Sequence, residues 1–340
     1  VAGLAPEVRS KGAEPKSVGW REPYPTDADE FFAYRPSRSG QARTATVRKD
    51  VVYAAFGDAG LHVLRVGTEG GFAKLGELPG RKVYDCAFVG DRLLTAEGTD
   101  GFALYELDGP VGFREVARRP RLSSGATVAC WCWGLPNELA VLSGRTGGMR
   151  FVPAKDLAKG TDLGSFSFSC QWDKYLADAP IRGLLPIVRP GRGLVWLDLT
   201  GPKPVEKKRP CSLVPRQTNG VCVFDEKTFL VTCGRQYAFV GADGEQKGPT
   251  CDFPGLDKGM SGGGVPRSDG RRVVLTARSA HRAALYDFSD AERPQLLRSW
   301  TLAGNPDVAA FCGGRVLIPA GHQGLLLTRR AERLGKGGGK

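Results

Sequence analysis

Arginine and histidine recur in short turns from residue 145 onward. An arginine guanidinium can hold a carboxylate or a sulfate through two parallel hydrogen bonds, and histidine can exchange a proton near neutral pH. The predicted ligand-binding or catalytic residues of these turns are Arg145, Arg189, Arg192, Arg235, Arg278, Arg282, His281 and His322. Because the corresponding earlier turns carry Asp58 and Asp100, the pattern predicts an anion site on one side of the molecule. The alternative is that these are ordinary polar turn residues in an arginine-rich chain.

A second set of polar residues stands where apolar strands are predicted to begin. It comprises Arg43, Tyr84, Asp85, Asn219 and Asp307, with Ser261, Gln171, Trp172, Asp173 and Tyr175 as further candidates. If the strands surround a channel, these residues converge at its mouth, which is a usual place for a ligand. The alternative is that they only bind one another and internal water.

Tyr84, His281 and His322 are the candidate catalytic residues. A polyuronate lyase removes a proton next to a carboxylate, which requires a base and a cation that neutralises the acid. Nothing in the spacing demands this chemistry, so the first hypothesis is a binding or scaffold protein for an acidic glycan or a protein partner. His281 and His322 lack a recognisable third ligand, so no metal and no other cofactor is predicted.

The elements that must position these residues repeat along the chain. An apolar run, a turn that usually contains glycine and a second apolar run occur seven times, with turns beginning near residues 57, 98, 144, 189, 234, 278 and 321. The spacing of roughly 41 to 46 residues suits four strands and their turns. It predicts an all-β, seven-bladed β-propeller with four-stranded antiparallel blades. An open β-solenoid or two stacked sandwiches are the rival architectures.

The seventh unit lacks an outer strand, and the segment 31–37 (FFAYRPS) can supply one. We therefore expect an N-terminal strand to complete the last blade and close the ring. The predicted organisation is an N-terminal extension at 1–30, one propeller domain at 31–330 and a flexible Gly/Lys tail at 331–340.

Cysteine and tryptophan carry weaker signals. Nine cysteines are present, and Cys222 and Cys233, on predicted neighbouring strands of one blade, could form a disulfide. Trp131 and Trp133 lie on the same side of one strand. That placement favours packing between blades over a sugar-stacking platform.

The turn motif A-x-G-x-x-G between apolar runs resembles the LVIVD repeat of secreted bacterial and archaeal β-propellers. The best matches are AAFGDAGLHVLRV (54–66) and TAEGTDGFALYEL (95–107), whereas the fourth and fifth units depart from the motif. The resemblance implies a secreted, periplasmic or envelope-associated propeller without naming a ligand. The start at Val1 rather than Met fits the expectation of export.

The charge balance favours anionic partners. Lys and Arg number 48 against 36 Asp and Glu, for a net charge of +12. Nucleic acid is disfavoured because no basic strand carries interleaved aromatic residues. No apolar stretch reaches the 18 residues of a membrane span, and we expect a monomer.

Overall fold

The computed structural model describes residues 28–36, 40–68, 70–122, 129–144, 148–166, 176–189, 193–207, 218–260 and 264–331. The fold is an all-β ring of seven antiparallel blades, as the repeat predicts. The described residues outside the strands form turns and short 3-10 segments. No described helix is long and apolar enough to cross a bilayer.

The strands follow one another within each blade. Blade 1 contains β2 (Thr44–Arg48), β3 (Val51–Ala55), β4 (Leu61–Val66) and β5 (Phe72–Leu78). Blade 2 contains β6 (Asp85–Val89), β7 (Arg92–Ala96), β8 (Phe102–Asp108) and β9 (Gly112–Arg119). Blade 3 contains β10 (Ala129–Leu135), β11 (Leu139–Gly144), β12 (Met149–Pro153) and β13 (Gly164–Phe166). The first strands of neighbouring blades contact one another, so they surround the axis of the ring.

Blades 4 to 6 continue this order. Blade 4 contains β14 (Leu184–Arg189), β15 (Gly193–Asp198) and β16 (Val205–Lys207). Blade 5 contains β17 (Thr218–Val223), β18 (Thr228–Cys233), β19 (Gln236–Gly241) and β20 (Gln246–Asp252). Blade 6 contains β21 (Val265–Ser268), β22 (Arg272–Ala277), β23 (Arg282–Asp287) and β24 (Gln295–Thr301). In blade 4 the inner side of β14 pairs with Leu176, which bridges to Ile187.

Blade 7 joins the two ends of the described chain. Its sheet order is β1-β27-β26-β25, in which β1 (Phe31–Tyr34) is the outermost strand, followed inward by β27 (Leu325–Thr328), β26 (Arg315–Pro319) and β25 (Ala310–Cys312). Strand β1 pairs with β27 in a register that sets Phe31 opposite Thr328 and Tyr34 opposite Leu325. The predicted closure of the ring by an N-terminal strand is confirmed.

The hydrophobic core lies between the blades. Middle strands such as β3 are buried on both faces, which explains their continuous apolar runs, whereas the outermost β5 is largely exposed. Trp133 belongs to a buried cluster that also contains Ile187 of blade 4 and Val231 of blade 5, and Trp131 packs against this cluster. Both indoles therefore belong to the packing between blades, as expected.

Cys222 and Cys233 are not joined by the disulfide that the sequence allowed. Cys222 packs with residues of blade 6 such as Leu275, whereas Cys233 packs in the cluster that contains Trp196 of blade 4. The two side chains therefore point to opposite faces of the blade 5 sheet. The sequence placed the two cysteines on neighbouring strands but did not show that they face opposite sides of the sheet.

Candidate functional site

The turns between second and third strands share one face of the ring with the connections that lead into the next blade. Two backbone bridges show this directly: Gly57 pairs with Val83, and Gly321 pairs with Ala42. Gly57 and Gly321 both adopt positive φ, which lets the turn present its backbone to the next blade. We call this side, formed by the turns at 56–60, 97–101, 278–281 and 320–324 with the connections at 40–43, 79–84 and 302–307, the turn face.

Three of the predicted strand-head residues occupy the same place in consecutive blades. The backbone N–H groups of Arg43, Tyr84 and Asp307 donate to the carbonyls that precede the turns of their own blades. The distances are 2.8 Å to Ala55, 2.8 Å to Ala96 and 2.7 Å to Pro319. The structure thus brings these residues of blades 1, 2 and 7 to one arc of the turn face.

Arg43 and Tyr84 contact each other across the junction of blades 1 and 2. The guanidinium carbon of Arg43 lies 5.8 Å from the centre of the Tyr84 ring, within the range of a cation–π contact. The Tyr84 hydroxyl donates to Oδ1 of Asp58 at 3.1 Å, and Lys82 Nζ lies 3.0 Å from the same oxygen. Tyr84 is therefore flanked by a cation and by a carboxylate.

The Tyr84 phenol is a donor rather than a base at neutral pH. Burial, together with the charge and hydrogen bond of Asp58, raises its pKa above the ordinary value of 10.0. Lys82 and Arg43 oppose that shift without cancelling it. At neutral pH the hydroxyl therefore keeps its proton and donates it to the hydrogen bond with Asp58.

His322 makes the equivalent contact at the junction of blades 7 and 1. Its Nε2 lies 2.9 Å from Nε2 of Gln41, and because an amide N–H only donates, the imidazole nitrogen accepts. Burial, followed by the positive charge of Arg43, lowers the pKa of His322 below 6.5. The ring is therefore neutral at pH 7 and lies within the field of Arg43.

The contacts of His322 and of Asp58 are repeats of one another. Each residue follows the positive-φ glycine of its turn, and each meets the side chain two positions before the next strand head, Gln41 or Lys82. Gln41 and Lys82 were missed in the sequence, although their fixed offset from Arg43 and Tyr84 is a signal that could have found them.

The remaining strand heads and turns of blades 6 and 7 are held by internal bonds. Arg278 Nη1 lies 3.0 Å from Oδ2 of Asp307, whose side chain is only 6% exposed. His281 Nδ1 lies 3.2 Å from the carbonyl oxygen of Gly304, and the backbone N–H of Gly304 donates to Oε1 of Gln323 at 3.3 Å. His281 and His322 thus have different partners, in different junctions.

Arg282 pairs with Asp257, with Nε 3.2 Å from Oδ1, and Arg235 donates to the carbonyl of Leu256 at 3.0 Å. Asn219 accepts from the backbone N–H of Gly234 at 2.6 Å. These contacts tie turns of blades 5 and 6 to nearby backbone and carboxylate groups. None of them brings these residues to Arg43 or His322.

Asp85 connects two inner strands and is fully buried. Its Oδ1 accepts from the N–H of Cys86 and its Oδ2 from the N–H of Cys132, both at 2.8 Å. Arg189 is half-buried at the end of β14 and pairs with Gly193. Arg145, Arg192, Ser261, Gln171, Trp172, Asp173 and Tyr175 lie outside the described residues.

Within the described part of the chain, no group of three or more His, Cys, Asp or Glu side chains is arranged to hold a metal ion. The side chains that meet on the arc of blades 7, 1 and 2 are Gln41, Arg43, Tyr84 and His322, with Asp58 and Lys82 beside them. We call Gln41, Arg43, Tyr84 and His322 the basic junction. Its chemistry suits an anion, through one permanent cation, one titratable base and two further hydrogen-bonding groups.

No family model matches the sequence, and no curated protein is significantly similar to it. Solved structures of similar fold include virginiamycin B lyase from Staphylococcus aureus, crystallised with quinupristin as a catalytically inactive His-to-Ala variant. It has a TM-score of 0.59 at 13% identity, over 88% of this chain and 98% of that one. The WD40 β-propeller domain of Doa1 also has a TM-score of 0.59, at 9% identity, over 90% and 96%. At these identities the similarity shows the propeller fold alone. The LVIVD family predicted from the turns is not confirmed.

Proposed function

We propose that the protein is a binding propeller that recognises an anionic ligand through the basic junction. The observation that carries the proposal is the position of Arg43. Its guanidinium lies over the ring of Tyr84 from blade 2, and its charge lowers the pKa of His322 from blade 7. Residues from three blades thus meet around one cation on an accessible face of the ring.

An anion beside Arg43 would be held by charge-assisted hydrogen bonds from the guanidinium. The same negative charge would offset the field of Arg43 at His322 and favour the imidazolium, which then donates to the ligand. An anion therefore raises the pKa of His322 from its lowered value, and the fraction of imidazolium that can donate to the ligand grows as the pH falls. This predicts tighter binding at mildly acidic pH.

The net charge of +12 supports an acidic glycan as the ligand class, because long-range attraction concentrates a polyanion near the surface. Export, which the resemblance of blades 1 and 2 to secreted propellers supports, would place such glycans within reach. Fractionation of cells that make the full-length protein tests this part of the proposal. Recovery in the cytoplasm alone would exclude it.

The central test is retention on immobilised polygalacturonate as a function of salt. Replacing Arg43 by Gln should weaken binding about tenfold or more, since a hydrogen bond to a charged group is lost. Arg65→Gln is the matched control, because Arg65 is an exposed arginine paired with Asp50 on the opposite face. Unchanged retention of the Arg43 variant, or an equal loss in both variants, would exclude the basic junction as the binding surface.

A uronate lyase is the second candidate, favoured by a neutral His322 beside a permanent cation. In that reaction His322 would remove the proton next to the carboxylate, and Arg43 would stabilise the developing negative charge. The electron pair of the broken C–H bond forms the C=C bond as the glycosidic C–O bond breaks, and the leaving oxygen takes up a proton from water. The virginiamycin B lyase structure supports only the point that a propeller of this shape can host a lyase. Incubation with polygalacturonate should then produce unsaturated ends that absorb in the ultraviolet, and His322→Ala should abolish them. A flat trace with the unmodified protein would leave the binding function alone.

A further inference from the structure

We propose that Asp58 completes the basic junction as an acceptor for a ligand hydroxyl, which makes the preferred ligand a hydroxy acid of the uronate type. This inference rests on the proposed function, because Arg43 is taken to hold the carboxylate of the ligand. It adds a residue to the anion site and gives a physical reason for a hydroxyl-bearing uronate within the class of acidic ligands.

The position of Tyr84 links the two halves of this site. Its ring lies beneath the guanidinium of Arg43, and its hydroxyl donates to Oδ1 of Asp58 at 3.1 Å. The two charges act on the phenol in opposite directions, since Asp58 raises its pKa and Arg43 lowers it. The guanidinium of Arg43 thus contacts the ring of Tyr84, and the carboxylate of Asp58 binds the hydroxyl of the same residue.

Asp58 keeps capacity for a further partner. A carboxylate has about four acceptor positions. Tyr84 and Lys82 both contact Oδ1, and Oδ2 makes no hydrogen bond to the described residues. The side chains of Asp58 and Lys82 are each 64% exposed. An exposed ion pair of this kind contributes little to stability, so a ligand can displace Lys82 at small cost.

The mixed charges also select against other anions. Asp58 repels a second negative charge, which disfavours phosphate monoesters and other dianions. A simple carboxylate can pair with Arg43 but adds no contact to Asp58 beyond those of Lys82 and Tyr84. A uronate ring carries one carboxylate together with several hydroxyl donors, so it can contact Arg43 and Asp58 at once.

The test compares glucuronate with cyclohexanecarboxylate, which has a six-membered ring and one carboxylate but no hydroxyls. Ligand-observed NMR titrations would use the full-length protein and its Asp58→Ala and Asp91→Ala variants. Asp91 is the matched control, as a fully exposed carboxylate paired with Arg48 on the opposite face. We expect the unmodified protein and the Asp91 variant to prefer glucuronate by about tenfold, as for a hydrogen bond to a charged acceptor. The Asp58 variant should lose most of that preference.

The outcomes separate this inference from the function on which it rests. If Asp58→Ala strengthens the binding of both acids equally, Asp58 only repels anions and the hydroxyl contact is wrong. Equal affinities of the unmodified protein for the two acids, with both lost in Arg43→Gln, would also exclude the hydroxyl contact but keep the anion site. If neither acid binds in an Arg43-dependent way, the proposed function itself fails. Thermal unfolding of each variant checks that the fold is intact.

Discussion

The junction of blades 6 and 7 and the junction of blades 7 and 1 are built from similar turns, yet their polar side chains have different partners. At the first, Arg278 pairs with the buried carboxylate of Asp307, and Gln323 accepts from the backbone of the connecting segment. At the second, His322 meets the neutral amide of Gln41 in the field of Arg43. The first junction pairs its arginine with a carboxylate of the chain, whereas at the second Arg43 lies over an aromatic ring and its charge acts on a histidine.

Two arginines of the predicted face are paired with carboxylates of the chain itself. Arg278 and Arg282 both belong to the arginine-rich turns that predict an anion site, but each faces a carboxylate, Asp307 or Asp257. An anion would have to replace that carboxylate and leave it without its counterion, at a considerable cost for the buried Asp307. Among the described turns, the comparison therefore favours the arc of blades 7, 1 and 2 over the turn of blade 6.

The largest effect should come from closing the space at the blade 6–7 junction. A Cβ on Gly304 would lie 1.7 Å from the carbonyl oxygen of Ala320, so the connection would have to move away from blade 7. We expect Gly304→Ala to lower the free energy of unfolding by about 3 kcal/mol, as severe overpacking does. Urea unfolding measures this, with Gly201→Ala as the control because its nearest new contact is 3.8 Å away. Equal stability of the two variants would contradict the close approach.

The two ion pairs of the turn face should differ in their contribution to stability. Arg278→Gln leaves the buried Asp307 carboxylate without its cation, and we expect a loss of about 2 kcal/mol. Lys82→Gln at the exposed Asp58 should produce no measurable change. Urea unfolding of both variants, measured at pH 7, checks the contrast. If the Lys82 variant were as unstable as the Arg278 variant, Asp58 would be a structural anchor and not a candidate ligand acceptor.

The fold could be predicted from the sequence because the same local pattern of strands and turns recurs in the units of the chain. An apolar run, a turn and a second apolar run allow few other arrangements, and the incomplete seventh unit indicated the closing strand at 31–37. The strand heads Arg43, Tyr84 and Asp307 follow from the same register, and the structure places them as equivalents.

The partners of those residues could not be predicted, because they depend on contacts between blades. Asp307 lies 29 positions after Arg278 and in the next blade, and no local pattern joins them. The blade 6 turn ends with His281 at a φ of 55°, whereas the turns at 56–60, 97–101 and 320–324 end with a glycine. The blade 6 turn therefore carries a side chain where those turns carry none. The different partners of Arg278 and Arg43 therefore arise from packing between blades.

The smallest predicted effect is the pH dependence that His322 contributes. Because its pKa in the folded protein lies below 6.5, the unfolded chain binds the proton more readily. The contribution to stability is complete above pH 6.5 and declines as the pH falls toward the lowered value. We therefore expect the unmodified protein to lose more stability on acidification than His322→Gln, measured by urea unfolding across this range.

Burial is the larger cause of the lowered pKa of His322 and the charge of Arg43 is the second. NMR titration of His322 in the Arg43→Gln variant should therefore show a pKa that returns part of the way toward 6.5. No return at all would mean that Arg43 and His322 are not close enough to share an anion, and the basic junction would then be no more suited to a ligand than the junction of blades 6 and 7.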